Sequence, residues 1–158
     1  MAKPGGAERF EAAARERGIV PDVRRFPQGT RTAEDAAAAI GCDLGQIVKS
    51  LVFVADGEPF LALTSGRNRA DTGRLAAALG AAEVRRATAD EVRAATGYAI
   101  GGTPPFGHSR PRAVLIDRDL LGYDVVWAAA GTPDGVFPLP PAELLALCGG
   151  RVADLREG

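Results

Sequence analysis

The pattern of apolar and polar residues first marks out the helices of this chain. Helix-forming composition, apolar spacing and terminal signals predict helices in five segments: 7–18, 32–41, 71–80, 88–97 and 141–150. Gly18 stands where the first of them should stop. Thr32 precedes Asp35, and Thr88 precedes Glu91, by the three residues that separate the partners of an N-terminal capping motif.

Shorter apolar runs predict the strands, at 22–26, 47–54, 60–65, 113–117 and 123–131. The sequence DGEP at 56–59 separates two of these runs and predicts a β-hairpin with a four-residue turn. Helices therefore alternate with hairpin-like pairs of strands. This order predicts one mixed α+β domain over residues 1–158, and not a doubly wound parallel sheet.

Composition and charge narrow the class of protein. The 158 residues are 46% hydrophobic and 25% charged, with 19 Lys and Arg against 20 Asp and Glu. A net charge of −1 argues against a general nucleic-acid coat, although a local basic patch remains possible. Such a patch is available from the arginines of the middle of the chain: Arg67, Arg69, Arg74, Arg85, Arg86 and Arg93, followed by Arg110 and Arg112.

The cysteines, the histidine and the hydropathy exclude several further classes. Cys42, Cys148 and the single histidine are too few for a structural zinc site, so we expect no metal and no cofactor. Neither a secretory signal nor an apolar run of about 18 residues is present, which predicts a cytoplasmic protein without a membrane span.

Lys49 interrupts the most apolar run of the chain, IVKSLVFV at 47–54. A buried ammonium must reach water, find an anionic partner or lose its proton. One interpretation is an edge-strand lysine whose head reaches solvent. The other is a lysine in a pocket wall that meets a phosphate or carboxylate, or acts as a base. Periodicity does not separate the two.

The segment GGTPPFGHSRPR at 101–112 is too rich in glycine and proline for regular structure. Gly101 and Gly102 permit close approach of the backbone with exposed N–H groups, and Pro104 and Pro105 stiffen the rest of the loop. A rigid loop with free amides suits a carbonyl, an ester or a ribose. The same composition also fits a plain connecting loop. Neither of the glycine-rich phosphate-binding motifs, GxxxxGK[ST] and GxGxxG, is present.

His108 is the only histidine, so any Ser-His-Asp or Cys-His arrangement would have to use it. The GxSxG motif is absent, and a loop histidine that hydrogen-bonds to backbone is the more common case. Asp134 lies at the tip of a second turn within AAAGTPDGVFPL, at 128–139, where turn aspartates are frequent.

Four segments, in this order and spacing, resemble the YbaK/EbsC family of prolyl-tRNA editing domains: GQIVKSLVF, TGYAIGGTPPFGH, AVLID and AGTPDGVFPLPPAELLAL. The resemblance covers about residues 32–155. It implies an α+β fold in which a mixed, mostly antiparallel sheet curves into a partial barrel flanked by helices. It also implies hydrolysis of the ester between a wrong amino acid and the 3′ end of a tRNA, typically tRNA for proline.

The resemblance also implies the site. Lys49 matches the family's pocket lysine, and residues 101–105 match its Gly-x-x-x-Pro loop, so Lys49, Gly101 and Gly102 are the predicted catalytic residues. The predicted substrate-binding residues are Thr103, Pro104, Pro105, His108, Asp134, Ile47 and Ser65. Cysteine-removing members often carry a GGxRGLDI-like segment where this chain has AGTPDGVFPL, so the amino acid stays open among alanine, cysteine and other small residues.

The predicted partners are the aminoacylated CCA end of tRNA and a prolyl-tRNA synthetase. In the predicted mechanism, Lys49 stays cationic beside the terminal phosphate or the ester carbonyl, and the amides of Gly101 and Gly102 assist a water or the ribose hydroxyl. Two alternatives remain: a binder of aminoacyl-tRNA ends or nucleotides without turnover, and a small-ester hydrolase with His108 as general base.

Overall fold

The computed structural model describes residues 5–30, 32–108 and 113–157. These residues form five α-helices: α1 Gly6–Glu16, α2 Ala33–Ile40, α3 Thr72–Leu79, α4 Ala89–Thr96 and α5 Pro141–Cys148. They also form eight strands: β1 Arg24–Arg25, β2 Val48–Ala55, β3 Glu58–Ser65, β4 Val84–Arg86, β5 Val114–Asp117, β6 Val126–Ala129, β7 Gly135–Leu139 and β8 Arg151–Ala153. Two short 3₁₀ helices cover Leu44–Gln46 and Arg118–Gly122.

The strands form two sheets that meet at the start of β2. The larger sheet has the order β4-β2-β3-β5-β8, and the smaller one has the order β1-β7-β6. An isolated bridge between Ile47 and Trp127 joins them. Four of the six pairings in the described residues are antiparallel, and only β3–β5 and β5–β8 are parallel. The predicted α+β class with a mixed, mostly antiparallel sheet is confirmed.

Helix ends follow the predicted capping chemistry. The Thr32 side chain accepts a hydrogen bond from the Asp35 N–H at the start of α2. Thr88 and Glu91 form a complete capping box at the start of α4, each side chain accepting from the other residue's N–H. Gly41 takes the left-handed conformation after α2, with a φ of +82°. These polar contacts satisfy backbone groups that a helix terminus otherwise leaves unpaired.

The hairpin of β2 and β3 is tighter than predicted. Asp56 and Gly57 have φ values of +47° and +87°, so these two residues make the whole turn, and β3 begins at Glu58. Positive φ at both central positions matches the twist of the adjoining strands. The hairpin was therefore predicted correctly. Its turn has two residues and not the predicted four.

Side chains of the larger sheet pack on both faces. Val48 and Val52 of β2 face the main core, which is centred on fully buried residues such as Phe10 and Phe137. Alternate residues of the same strand, Leu51 and Phe53, face a second core around Leu75, beneath α3. Lys49 shares the parity of Leu51 and Phe53, and it stands opposite Thr64 of β3.

Candidate active site

A gap beside β2 forms a cleft among the described residues. On this side of β2, the bridge from Ile47 leads to β6, and pairing with β4 begins only at Phe53. The residues between these points have no paired strand there among the described residues. The cleft in this gap has a volume of about 460 Å³.

Because backbone hydrogen bonds alternate between the two edges of β2, the N–H and C=O groups of Ser50 point toward this cleft. The Ile47 carbonyl accepts from Gly66 on the β3 side, at 2.7 Å, whereas the Val52 carbonyl accepts from Ala87 on the other side, at 3.1 Å. Backbone groups alternate along a strand, so Ser50 points its N–H and C=O away from β3. The Ser50 Oγ is also buried and has no hydrogen-bond partner within the described residues. The middle of β2 therefore offers the cleft polar groups that no strand uses.

Lys49 lies at this cleft with its side chain half-buried. Its Nζ donates a hydrogen bond to the Asn68 carbonyl oxygen at 2.6 Å. The Asn68 amide in turn donates to the carboxylates of Asp117 and Asp119, at 2.9 and 2.7 Å. Because Asp117 is fully buried, the segment that holds Lys49 is itself anchored.

The environment of Lys49 disfavours its charged form. Burial lowers the pKa of Lys49 below its ordinary value of 10.5, and the cations of Arg86 and Arg69 lower it further. The nearby carboxylates of Glu34 and Asp117 act in the opposite direction. An ammonium has three donors, and one of them is committed to Asn68. The remaining donors suit an anionic or strongly polarised group of a ligand in the cleft.

The glycine-proline loop forms another wall of the cleft, through Gly101 and Thr103. Gly101 has a φ of +87°, a conformation that favours glycine. Gly102 packs so closely on Thr132 that an added Cβ would lie 2.9 Å from its backbone. The Gly102 N–H and the Thr103 hydroxyl both donate to the Ala99 carbonyl oxygen, each at 3.0 Å. The Gly102 amide is thus engaged within the turn, while Gly101 borders the cleft.

The structure brings four of the predicted site residues together around the cleft: Lys49, Ile47, Gly101 and Thr103. The other six are not among the described residues that line it: Gly102, Pro104, Pro105, His108, Asp134 and Ser65. Direct contact of those six with a substrate stays a prediction.

Several of these six residues hold the surroundings of the cleft in place. The His108 Nε2 lies 2.7 Å from the Pro104 carbonyl oxygen, which closes the far end of the loop. Ser65 is buried, and its hydroxyl donates to the Gly45 carbonyl oxygen at 2.7 Å. Asp134 accepts from the Thr132 hydroxyl at 2.5 Å. The predicted loop beyond His108, at 109–112, lies outside the described residues.

Other cleft residues had no signal of their own in the sequence. Glu34 and Thr30 lie in or near α2 and reach the cleft only because the chain folds back on β2. Trp127 reaches it through the bridge to Ile47, a long-range pairing. Ser50 adjoins Lys49 in the same apolar run, and the alternation of the strand was the one clue available for it.

In the described ranges, no three His, Cys, Asp or Glu side chains come together as ligands for a metal ion. None of the helices in those ranges is both long enough and apolar enough to span a membrane.

Residues 27–147 match the aminoacyl-tRNA editing domain, and the chain belongs to this family. The match includes the strand of Lys49 and the loop of Gly101, so it covers both walls of the cleft described above. It confirms the family that the sequence segments indicate.

Two known proteins are similar to this chain over most of its length. A crystal structure of a proposed trans-editing enzyme for prolyl tRNA synthetase is 49% identical, with a TM-score of 0.92, and covers 99% of this chain and 100% of that one. EbsC of Enterococcus faecalis, a proposed Cys-tRNA(Pro)/Cys-tRNA(Cys) deacylase, is 29% identical over 78% of this chain and 76% of its own length.

The chain also resembles part of a much larger enzyme. The proline–tRNA ligase of Nitratidesulfovibrio vulgaris (strain DP4) is 37% identical over 99 residues, which are 63% of this chain and 17% of the ligase. The similarity therefore concerns one segment of the ligase.

Proposed function

We propose that the protein is a trans-editing hydrolase that deacylates mischarged tRNA, with tRNA for proline carrying a small wrong amino acid as its substrate. The observation that carries this proposal is the half-buried Lys49, which lines the same cleft as Gly101 within the matched family segment. The similarity to EbsC and to the proposed trans-editing enzyme supports the same reaction.

In the proposed reaction, a water oxygen attacks the ester carbonyl carbon. The bond from that carbon to the ribose oxygen breaks, which releases the free amino acid and a tRNA with its terminal hydroxyl restored. Lys49 stabilises negative charge on the substrate during this step, at the carbonyl oxygen or at the terminal phosphate, and Gly101 brings backbone close to the ester. Positioning of the water or of the neighbouring ribose hydroxyl supplies much of the remaining rate.

Selection between amino acids rests on size in this proposal. A synthetase pocket built for proline excludes a smaller amino acid weakly, because missing methylenes are worth only ~1–3 kcal/mol. A second pocket that admits only the smaller side chain restores accuracy. Ile47 and Val136 are buried apolar residues of the cleft and are suited to line that pocket.

The proposed partners are the aminoacylated CCA end of tRNA and a prolyl-tRNA synthetase, and the proposed place of action is the cytoplasm, where charged tRNA is used. The similarity to part of a proline–tRNA ligase supports the link to the synthetase. A pull-down with prolyl-tRNA synthetase tests the contact, and its failure would remove the synthetase as a partner without affecting the hydrolysis.

The first prediction is that the wild type deacylates tRNA for proline that carries alanine or cysteine and leaves prolyl-tRNA intact. Lys49→Ala should lose at least about 100-fold in rate, the scale of a lost donor to a developing oxyanion. Release of radiolabelled amino acid measures both rates. Circular dichroism of Lys49→Ala and of the similarly long Lys49→Met checks that both variants fold.

The outcomes separate the proposed function from its alternatives. Wild-type activity retained in Lys49→Ala would refute the role of Lys49. Binding of the charged tRNA without any turnover would refute the hydrolase and leave the binding protein. Activity on small esters that is lost in His108→Ala and kept in Lys49→Ala would instead favour the small-ester hydrolase.

A further inference from the structure

The arginines between residues 67 and 93 differ in their partners. Three of the six are committed to carboxylates: Arg67 to Asp43, Arg74 to Asp154 at 3.0 Å, and Arg85 to Glu91 at 2.8 Å. Their charges are therefore already compensated within the protein. The sequence alone does not show which of the six arginines have a carboxylate partner.

Arg69 and Arg86 line the cleft, and both are exposed. Neither guanidinium has an ion pair with a carboxylate of the described residues. Arg93 also lacks such a pair, but it does not belong to the cleft lining. Two uncompensated cations thus stand at the same cleft as Lys49.

The backbone of each arginine is fixed by hydrogen-bonded structure. Arg86 belongs to β4 and pairs with Phe53 of β2, and its guanidinium carbon lies 5.7 Å from the centre of the Phe53 ring. The Arg69 carbonyl oxygen accepts from the Glu157 N–H at 2.8 Å, beside a bridge between Ala70 and Arg156. Both side chains therefore project from defined positions.

The two arginines come from the segments that flank β2 in the sheet, β4 on one side and the chain that follows β3 on the other. Lys49 lies on β2 between them. Glu34 is the only carboxylate among the cleft-lining residues described. Three cations and one carboxylate at one cleft favour an anionic ligand with more than one negative group.

We propose that Arg69 and Arg86 bind phosphodiester groups of the RNA 3′ end and thereby position the terminal ester at Lys49. This inference rests on the proposed function. A guanidinium can donate two parallel hydrogen bonds to a phosphate, and an arginine without a carboxylate partner loses no ion pair when it does so. The arrangement selects esters carried by RNA, because a free amino-acid ester lacks these anions.

Salt dependence provides the test. Each phosphate contact with a single strand contributes about 0.7 to the slope of log affinity against log salt. Arg69→Gln and Arg86→Gln should each lower that slope by about 0.7 for uncharged tRNA for proline, and the double variant by about twice as much. In deacylation of alanyl-tRNA for proline, KM should rise about tenfold for each variant at low salt, with kcat within about twofold.

Arg67→Gln is the matched control, because it removes the same charge two residues before Arg69 from a guanidinium that pairs with Asp43 and does not line the cleft. Its slope and KM should match those of the wild type. Unchanged slopes in both cleft variants, or an equal loss in Arg67→Gln, would overturn the proposed phosphate site. Binding of uncharged tRNA gives this answer even when the wild type hydrolyses no ester, so failure of the proposed function is recognised separately.

Discussion

The environment of Lys49 raises the free energy of its charged form relative to its neutral form. Its Nζ is half-buried, and it hydrogen-bonds to a neutral carbonyl oxygen, not to a carboxylate. A cation held in this way keeps its field available for a ligand, because no carboxylate of the described residues forms an ion pair with it. The Asn68 carbonyl fixes where the ammonium points, so the site is oriented before any ligand enters.

The charge of Lys49 gives the second prediction, at the level of this single residue. Its pKa in the folded protein should lie below 10.5. Enzymatic deacylation should fall as pH rises through that pKa, because the cation is the working form in the proposed reaction. The unfolded chain holds this proton more tightly. Lys49 therefore makes the free energy of unfolding rise with pH between its folded pKa and 10.5.

Lysine side-chain NMR measures this pKa directly, because the chain has only two lysines, Lys3 and Lys49. The Lys49→Met variant assigns the signal. A Lys49 midpoint at or above 10.5 would contradict the prediction.

For this single residue, the sequence showed an unexpected lysine in an apolar strand, but it left open whether the Lys49 ammonium reaches solvent or a pocket. The deciding contact is with Asn68, 19 residues away, across the hairpin and the turn that follows β3. The separation of Arg69 and Arg86 from the other arginines likewise depends on which carboxylates lie nearby. Side-chain partners at such distances are set by the tertiary fold and leave no periodic signal in the sequence.

Among the elements, β2 and its neighbours define the cleft, and α4 fixes one of those neighbours. The Arg85 guanidinium of β4 donates to both Glu91 oxygens at 2.8 Å, while Glu91 also accepts from the Thr88 N–H. This arrangement lowers the pKa of Glu91 to about 2, chiefly through the hydrogen bond from Arg85. The start of α4 is thereby attached to the strand that carries Arg86.

The third prediction concerns this helix terminus. Thr88→Ala should lower the free energy of unfolding by about 1 kcal/mol, because the Glu91 N–H loses the hydroxyl that accepts its hydrogen bond. Urea denaturation followed by circular dichroism measures the loss. Thr88→Ser keeps the hydroxyl and should stay within about 0.5 kcal/mol of the wild type. A similar loss in both variants would show that the methyl group, and not the cap, is responsible.

The helices and the longer strands were predictable because their end signals are local. The short strands β4, β7 and β8 were missed, and β7 shows why. Its Pro138 argues against a strand. The Gly135 carbonyl, however, accepts from the N–H of Ala130, the residue that directly follows β6, so the alternation of the strand turns the Pro138 nitrogen toward the β1 side. The two residues of β1 pair only with Val136 and Gly135, so the missing N–H has no partner to lose.

Across the whole molecule, α1 packs against residues of the second half of the chain. Phe10 is fully buried, and its ring centre lies 5.5 Å from that of Phe106 and 4.9 Å from that of Phe137. An added Cβ at Gly6 would lie 2.0 Å from the Gly131 carbonyl oxygen, so only glycine permits this approach. The first helix thus closes the main core beside the loop that borders the cleft.

The fourth prediction follows from this packing. Phe10→Ala should lower the free energy of unfolding by about 3–5 kcal/mol, since it removes a large buried ring and leaves a cavity in the main core. Denaturant titration measures the change. Val20→Ala serves as control, because Val20 is 96% exposed and should change stability by less than about 0.5 kcal/mol. A loss below about 1 kcal/mol in Phe10→Ala would contradict this account of α1.

The position of α1 also limits how the editing segment can be moved between proteins. The matched residues, 27–147, contain the cleft but not Phe10, whose aromatic partners Phe106 and Phe137 both lie within them. If that segment alone were transferred to another protein, the apolar surface that Phe10 covers would be exposed. A chimaera that keeps the cleft intact therefore needs an apolar side chain from its host to pack against Phe106 and Phe137. The ends of the transferred segment should be chosen to include such a side chain, and not simply at the ends of the matched residues.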